Sequence, residues 1–369
     1  MALRIAFAGG GTGGHLYPAR NLLNVFEKKT TCEAVFFGTP RGIEARKVPE
    51  WGYPLHLLPV RGFKRGLAAE NLLFPWYLWQ SLRSSRRILK RFDPHLVIGT
   101  GGYVMGPVVR EAVRLGFLTV LQEQNSYPGV TTRWLAARVR RVYGAYPETC
   151  EALKKAGDCR VYANPVVLAR PLPPQAEARE TLGLEADRQT VLIFGGSLGA
   201  QSINRAVYAW LGKGLPEDVQ VIWQTGRTDY ARYSGQYAAQ KNIRVTAFIE
   251  DMARAYAAAD FAICRAGAMS LAELGVAGVP AIVVPYPHAA ADHQMKNARV
   301  LEKRGAVQVI PDDDALTGTL EAAVTNWLMN PQIVKEHARN MLQTGDPEAA
   351  EHMVDEILRL LEEKGIWNG

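Results

Sequence analysis

The chain has 369 residues, a length typical of two domains, and its 48% apolar and 21% charged residues are ordinary for a globular protein. No apolar run approaches the roughly 18 residues of a transmembrane helix, and the first residues lack the cleavage pattern of a signal peptide. The net charge of +7 is uneven, because residues 1–163 carry 24 Lys and Arg against 11 Asp and Glu, whereas the remainder carries 19 against 25. This asymmetry predicts that the first half faces an anionic partner, either a membrane surface or a nucleic acid.

The first strand and helix are joined by a glycine-rich loop within residues 3–26. Such a loop lets backbone N–H groups approach a ligand, with the positive end of a helix dipole behind them. Gly9, Gly11 and Gly14 satisfy the dinucleotide pattern G-x-G-x-x-G. An NAD site also requires an acidic residue where the second strand, residues 35–38, ends, and Gly-Thr-Pro stands there. A P-loop requires lysine at the position of His15, so both interpretations are disfavoured.

Residues 61–92 combine eight basic residues and one acid with an apolar segment rich in aromatic residues. Aromatic rings between cations are typical of a segment that lies in a membrane interface. The candidate membrane-binding residues are Leu72, Leu73, Phe74, Trp76 and Trp79. A buried helix with a solvated basic end explains the pattern equally well. Nucleic acid is not expected as a partner, because no nucleic-acid-binding motif accompanies the charge.

Two further strands of the first half end in polar or glycine-rich loops. Residues 95–109 repeat the strand, glycine and helix pattern, and residues 118–129 form a strand that runs into Glu123, Gln124 and Asn125. In parallel sheets, ligands bind beyond the carboxyl ends of the strands, so these loops are expected to share a site. Each polar residue, taken alone, also fits a turn or a cap.

A proline-rich linker is predicted at residues 160–184, with a domain boundary after Ala163. Residues 191–204 then repeat the opening pattern, which predicts a second α/β domain. Later, a strand ends at Arg265 and a short helix carries Glu273. Ser270 and Glu273 also fit the S-x-x-E pattern of a helix capping box.

Two features could indicate a metal site, and neither is interpreted as one. The four cysteines lack CxxC and metal-ligand spacing, so we expect reduced thiols of a cytosolic protein. The run Asp312–Asp314 contains D-x-D, but it is expected to lie between a strand end and the next helix.

Six segments, taken in chain order, resemble the MurG family of bacterial glycosyltransferases. These are GGGTGGHLYP, GTGGYVMGP, QEQN, GGSLGAQSIN, CRAGAMSLAE and DHQMKNAR. The resemblance implies the α/β GT-B fold, with two Rossmann-like domains whose parallel sheets face a central cleft. It implies an acceptor- and membrane-binding domain at 1–163, which is joined by a C-terminal helix at 345–369. The UDP-sugar-binding domain is expected at 164–344.

The implied reaction moves N-acetylglucosamine from UDP-N-acetylglucosamine to the 4-hydroxyl of the N-acetylmuramyl-pentapeptide of lipid I, with inversion, forming lipid II for peptidoglycan. The expected catalytic base is His15, whose ordinary pKa of about 6.5 suits the task, and Glu123 is the competing candidate. No metal or other cofactor is expected. The implied substrate-binding residues are Thr12, Gly13, Gly14, Tyr103, Asn125, Arg170, Gly196, Ser197, Ile249, Arg265, Ala268, Met269, Ser270, Leu271, Ala272, Glu273, His293 and Gln294.

Among these, Arg265 and the backbone of Ile249 are expected beside the uracil, Glu273 at the ribose and Ser197 at the diphosphate. The implied location is the cytoplasmic face of the cell membrane, where the enzyme is peripheral. The implied partners are the two substrates and an anionic membrane surface, and other cell-wall synthesis proteins are admitted as partners. Another GT-B transferase with a lipid acceptor, or a non-catalytic UDP-sugar-binding subunit, remains an alternative.

The chain departs from the family pattern at three positions. Gln122 stands where the family often has histidine, and Val167 stands where an arginine that helps to bind the donor is usual. Arg170 is the next arginine and could substitute for it. Gln294 stands alone where some members have two glutamines.

Overall fold

The computed structural model describes residues 1–60, 62, 73–196 and 199–367. The chain divides into two compact units, which we call the first unit (1–167 and 347–369) and the second unit (168–346). The domain boundaries expected from the sequence lie at 163/164 and 344/345. Within the described residues, no helix is both long and apolar enough to cross a bilayer.

The described part of the first unit contains a parallel sheet of seven strands in the order β3-β2-β1-β4-β5-β6-β7. Helices connect the strands, as parallel pairing requires. The elements are β1 (Leu3–Gly9), α1 (Gly13–Lys29), β2 (Cys32–Gly38), α2 (Glu44–Glu50), β3 (Leu55–Leu57), α3 (Phe74–Phe92), β4 (Leu96–Gly101), α4 (Gly102–Arg114), β5 (Leu118–Glu123), α5 (Val130–Leu135), β6 (Arg141–Gly144), α6 (Pro147–Ala152) and β7 (Cys159–Val161).

The described part of the second unit contains a parallel sheet of six strands in the order β10-β9-β8-β11-β12-β13. Its elements are α7 (Gln175–Thr181), β8 (Gln189–Phe194), α8 (Gln201–Leu211), β9 (Val219–Gln224), α9 (Tyr230–Tyr237), β10 (Ile243–Thr246), α10 (Met252–Ala258), β11 (Phe261–Cys264), α11 (Ala268–Ala277), β12 (Ala281–Val283), α12 (His293–Lys303), β13 (Val307–Val309), α13 (Leu316–Met329) and α14 (Pro331–Leu342). The last helix, α15 (Ala349–Glu363), belongs to the first unit.

Both sheets have a position where the strand order reverses, between β1 and β4 in the first unit and between β8 and β11 in the second. The loops that leave these strands diverge to opposite faces of the sheet and open a crevice, the usual ligand site of such sheets. The expected class, two α/β units with parallel sheets, is confirmed.

The core of the first unit is completed by α15, the last helix of the chain. Its apolar face, with Met353, Val354 and Ile357 at its centre, packs with α1 and β1 in one buried cluster. Glu356 on the same helix pairs with Arg141 on β6. A C-terminal segment remote in sequence therefore covers one face of the first sheet.

The prediction that residues 160–184 form a linker without secondary structure is wrong. It begins within β7, which extends the first sheet, and contains α7, which packs against α10 of the second unit. The prolines are compatible with these elements because Pro174 precedes the first residue of α7, where no N–H is needed.

The expectation of four reduced cysteines is also wrong, because Cys150 and Cys159 form a disulfide. The end of α6 and the start of β7 bring their Cα atoms to 5.7 Å, a normal distance for such a bond. Cys32 and Cys264 are free. Burial raises the pKa of Cys32 to about 11 and that of Cys264 to about 12.

Thiol titration tests this assignment. The folded protein at pH 8 should react slowly with a chromogenic disulfide reagent, because only the thiolate attacks. Both free thiols have pKa values well above 8 and are therefore protonated at that pH. Without a reductant, the unfolded chain should show the two free cysteines, and after reduction all four. Four reactive thiols in the unfolded, unreduced chain would contradict the disulfide.

Candidate active site

The glycine loop between β1 and α1 is built around a buried carboxylate that sequence reasoning missed. Glu44, at the start of α2, is fully buried, and its Oε2 accepts a hydrogen bond of 2.8 Å from the N–H of Gly11. Its Oε1 accepts from the N–H and hydroxyl of Thr39 at 2.8 and 2.9 Å. A Cβ at any of three surrounding glycines would lie 2.2–2.4 Å from this side chain. These are Gly10, Gly38 and Gly42.

Thr12 ends this loop as the N-cap of α1, and Gly13, Gly14 and His15 form the first turn. The carbonyl of His15 accepts a hydrogen bond of 2.7 Å from the hydroxyl of Thr100 at the end of β4. A Cβ at Gly101 would lie 2.3 Å from Nδ1 of His15, so only glycine lets the imidazole pack against this backbone. The ends of β1 and β4 therefore meet at His15.

A chain of buried amides leads away from His15 in the first unit. Oε1 of Gln124 lies 3.2 Å from Nδ1 of His15, and Nε2 of Gln124 donates to the carbonyl of Thr100 at 2.7 Å and to Oε1 of Gln122. Nε2 of Gln122 donates to Oδ1 of Asn164, whose Nδ2 donates to the carbonyl of Gln124, both at 3.0 Å. The motif QEQN signalled this position, but not the partners of its amides.

Glu123, the competing candidate base, is buried and uses both oxygens inside the first unit. Oε1 accepts from the backbone and side-chain N–H groups of Asn125, and Oε2 accepts from the N–H of Gly129 and the hydroxyl of Thr132. These bonds fix the loop between β5 and α5. Tyr103, on the first turn of α4, is exposed and packs its ring beside Gly62.

In the second unit, Arg265 follows β11 and is held by an ion pair that the sequence did not reveal. Its Nη1 lies 2.7 Å from Oδ2 of Asp312, and its Nη2 donates to the hydroxyl of Ser202 at 2.9 Å. Ser202 donates in turn to Asp312 at 2.8 Å, and the guanidinium lies over the ring of Tyr286. The acidic run therefore lies between β13 and α13, as predicted, and Asp312 orients an arginine.

Glu273 lies on α11 and accepts a hydrogen bond of 2.8 Å from the hydroxyl of Tyr256. Burial raises the pKa of this carboxyl, and the bond from Tyr256 partly offsets the rise. The predicted capping box is wrong, because α11 starts at Ala268 with Gly267 as its N-cap, so that Ser270 is already inside the helix.

The remaining predicted residues of α11 differ in exposure. Met269, Ser270 and Ala272 are partly exposed, whereas Ala268 and Leu271 are buried.

The loop between β8 and α8 is fixed by its glycines. Gly196 has φ of +82°, and its carbonyl accepts from Nε2 of Gln224 at 2.9 Å. Gly199 has φ of +79°, and a Cβ there would lie 2.1 Å from the carbonyl oxygen of Thr225. Ser197 lies outside the described residues.

Gln224 also binds the N–H of Ile249 at 2.9 Å through its Oε1, so this N–H is engaged inside the unit. Gln294 and His293 open α12, and Oε1 of Gln294 accepts from the N–H of Tyr286 at 2.9 Å. Arg170 donates to the carbonyl of Val276 at the end of α11.

A group of exposed apolar residues lies at the start of α3. Leu73, Trp76 and Trp79 are 53%, 55% and 48% exposed, and the two indoles stack at 5.2 Å. The interpretation as a buried helix is therefore wrong for these three residues. Phe74 is half-buried, and Leu72 lies outside the described residues.

The packed side of α3 is formed by two serines and, towards its end, by Leu89. Ser81 and Ser85 are fully buried and bond to carbonyls one turn earlier on the helix.

Comparison with known proteins places both units in one family. Residues 5–144 match the model of the glycosyltransferase family 28 N-terminal domain, and residues 190–353 match the family 28 C-terminal domain. Among solved structures, the crystal structure of Acinetobacter baumannii MurG has a TM-score of 0.77 at 31% identity, covering 97% of this chain and 99% of that one.

Two curated relatives extend the similarity over the whole length. The chain is 39% identical to the UDP-N-acetylglucosamine--N-acetylmuramyl-(pentapeptide) pyrophosphoryl-undecaprenol N-acetylglucosamine transferase of Chlorobaculum parvum, covering 97% of this chain and 99% of that protein. It is 40% identical to the protein of the same name from Chlorobium luteolum, covering 98% and 100%. The chain therefore belongs to the MurG family of glycosyltransferase family 28.

Proposed function

We propose that this chain transfers N-acetylglucosamine from UDP-N-acetylglucosamine to the 4-hydroxyl of the N-acetylmuramyl-pentapeptide of lipid I and so forms lipid II. The observation that carries the proposal is full-length similarity to proteins named for this transfer, together with ordered polar groups at both strand-order reversals. The hydroxyl oxygen attacks the anomeric carbon, and UDP leaves with the electron pair of the broken bond. A single displacement of this kind inverts the anomeric centre.

The donor is assigned to the second unit. The Arg265–Asp312 pair holds a guanidinium in a fixed position, which would lie beside the uracil. Glu273, which accepts a hydrogen bond from Tyr256, would accept the ribose hydroxyls. Because the first-turn N–H groups of α8 and α11 lack acceptors within their helices, they suit the charge that develops on the departing diphosphate. Gly196 and Ser197 are assigned to the diphosphate as well.

The other donor contacts are assigned to further residues of the second unit. Met269, Ser270 and Ala272 would line the nucleotide, with the backbone of Ala268 and Leu271, and His293 and Gln294 would contact the sugar. Since the N–H of Ile249 is engaged by Gln224, the carbonyl of Ile249 is the group proposed for the uracil. Arg170, bonded to the end of α11, would act through that helix rather than on the donor directly.

The acceptor is assigned to the first unit, where Thr12, Gly13, Gly14, Tyr103 and Asn125 would contact it. His15 is the proposed general base, because its ordinary pKa lies near neutral pH and it is partly exposed at the meeting point of two strand ends. Glu123 is assigned a positioning role, since four hydrogen bonds already occupy its carboxylate.

The exposed apolar end of α3 is proposed to contact the cytoplasmic face of the cell membrane, where a polyprenyl-linked acceptor resides. The stacked indoles would enter the interface, and cations such as Arg83, which lies over Trp79, would meet anionic headgroups. Such peripheral binding brings the first unit to its lipid-borne substrate. Other cell-wall synthesis proteins are further candidate partners.

Replacing His15 tests the base. With radiolabelled UDP-N-acetylglucosamine and a lipid I analogue, His15→Ala should lower kcat by about 10²–10⁴-fold, because the attacking hydroxyl loses its proton acceptor. The KM for the donor should change little. His352→Ala, on the half-exposed outer side of α15, is the matched control and should retain activity. Normal turnover by His15→Ala would reject His15 as the base. Transfer to diacylglycerol in place of lipid I would show that lipid I is not the acceptor.

Two glycine substitutions test the donor loop. Gly199→Ala should weaken UDP binding at least tenfold in calorimetry, because the new Cβ would lie 2.1 Å from the carbonyl oxygen of Thr225 and force the loop to move. Gly214→Ala is the matched control, with φ of +89° and open space around its Cβ. It carries the same backbone strain, about 1 kcal/mol, without the clash. Equal UDP affinity in both variants would exclude the loop from the site.

Vesicle binding tests the surface on α3. The double variant Trp76→Ala/Trp79→Ala should sediment less with phosphatidylglycerol vesicles and keep its UDP affinity, because both indoles are exposed within the first unit. Tyr230→Ala, an exposed aromatic of the second unit, is the control. Binding of the wild type should also weaken as salt rises, since screening reduces the attraction to headgroups. Unchanged sedimentation of the double variant would overturn the assignment.

A further inference from the structure

We propose that Gln124 holds His15 in the tautomer that carries its proton on Nδ1, so that Nε2 accepts the proton of the attacking hydroxyl. Gln124 is then a positioning residue that acts through His15. The inference rests on the proposed function, in which His15 is the base. It concerns which of the two ring nitrogens carries the hydrogen and why.

The direction of the amide chain is set by a backbone carbonyl. Because the carbonyl of Gln124 can only accept, the atom of Asn164 that bonds to it at 3.0 Å must be Nδ2. Oδ1 of Asn164 therefore accepts from Nε2 of Gln122, also at 3.0 Å. That bond leaves Oε1 of Gln122 directed at the side chain of Gln124.

The same logic fixes the amide of Gln124. Its Nε2 faces three acceptors, which are Oε1 of Gln122, the carbonyl of Gln122 at 3.2 Å and the carbonyl of Thr100 at 2.7 Å. A flipped amide would set its oxygen against these three oxygens. Oε1 of Gln124 is thus the atom that lies 3.2 Å from Nδ1 of His15. Because an amide oxygen cannot donate, Nδ1 carries the hydrogen, and in the neutral ring the lone pair is on Nε2.

Burial makes this orientation costly to reverse. The side chains of Gln122, Gln124 and Asn164 are 1–3% exposed, so water cannot replace a lost partner. An unsatisfied buried polar group has lost its hydrogen bonds to water without replacement, which destabilises the folded state. Reversal of one amide would leave several such groups. The backbone carbonyl of Gln124 therefore fixes the orientation of all three amides and, through them, the hydrogen on the imidazole.

The surroundings of the ring are consistent with a neutral orienting group. The junction of β4 and α4 brings Thr100 and Gly101 to His15, and the loop after β5 brings Gln124. The acids of adjacent elements, Glu44 and Glu123, direct their carboxylates at loop N–H and hydroxyl groups. A neutral amide fixes the tautomer while stabilising the imidazolium less than a carboxylate would.

The proton balance of the step follows. The proton of the acceptor hydroxyl moves to Nε2 as its oxygen bonds to the anomeric carbon, and the bond from that carbon to the diphosphate oxygen breaks. The electron pair leaves on UDP. The imidazolium then bears hydrogen on both nitrogens, and its Nδ1–H stays bonded to Oε1 of Gln124 until Nε2 releases its proton to solvent.

The tautomer can be read without any reaction. In long-range ¹H–¹⁵N spectra of the histidine-labelled wild type, assigned by comparison with His15→Ala, we expect His15 to be protonated on Nδ1 at a pH where the ring is neutral. A neutral His15 with its proton on Nε2 would overturn the proposal. This measurement needs no folded Gln124 variant and does not depend on His15 being the base.

Kinetics test whether the orientation matters. Gln124→Met should lower kcat about tenfold, leave both KM values within about twofold, and move the acidic limb of the pH profile downwards by roughly half a unit, because the imidazolium loses an acceptor. In the His15→Ala background the same change should have no further effect. Gln220→Met, which removes an equally buried glutamine of the second unit, controls for general destabilisation.

Failure of the positioning role of Gln124 and failure of His15 as the base give different results. Equal losses of kcat from Gln124→Met with and without His15 would reject the positioning role. Full activity of His15→Ala would reject the proposed base, whereas the spectra would still decide the tautomer.

Discussion

Parallel pairing is the constraint on which the rest of this structure depends. Every registered strand pair in the two sheets is parallel, so each strand needs a helical crossover and all strands of a sheet end at the same edge. Polar and glycine-rich segments far apart in sequence are brought together there. His15, Thr100 and Gln124 meet at one such edge because each follows or ends a strand of the first sheet.

The two glycine loops look alike in sequence but differ in electrostatics. Beneath the first loop, the carboxylate of Glu44 uses the N–H of Gly11 and adds a negative charge that opposes a diphosphate. In the second unit, the carbonyl of Gly196 is bound by a neutral amide, and the guanidinium of Arg265 follows the neighbouring strand. This difference supports assigning the nucleotide to the second unit and the acceptor to the first.

The sequence predicts the elements that local patterns encode. Apolar runs ending in glycine locate β1, β4 and β8, and the repeated pattern predicts two α/β units. The candidate site residues on these loops could be proposed from the sequence because glycine and polar residues at strand ends are a local signal. The polar groups that hold these residues have no local signal in the sequence. Glu44 bonds to Gly11 from 33 positions away, and Asp312 pairs with an arginine 47 positions earlier.

The wrong predictions have the same origin. The S-x-x-E pattern at Ser270 ignored that tertiary packing starts α11 earlier, and the proline content of 160–184 concealed a strand that gains its bonds only from β6. Spacing also gave no sign that α6 and β7 would bring two cysteines together. These features depend on which segments pack or pair with each other in the fold, and the local pattern of a single sequence does not reveal that.

The return of the chain at Pro347 makes the second unit an insertion within the first. During synthesis the ribosome releases residues 168–346 as a continuous block, whereas the first unit still lacks the seven buried side chains of α15. The second unit can therefore complete its core before the first, although most of the first unit precedes it in the sequence. Loss of α15 through truncation would expose the apolar face formed by β1 and α1, so the stability of the first unit depends on a helix that is synthesised after the whole second unit.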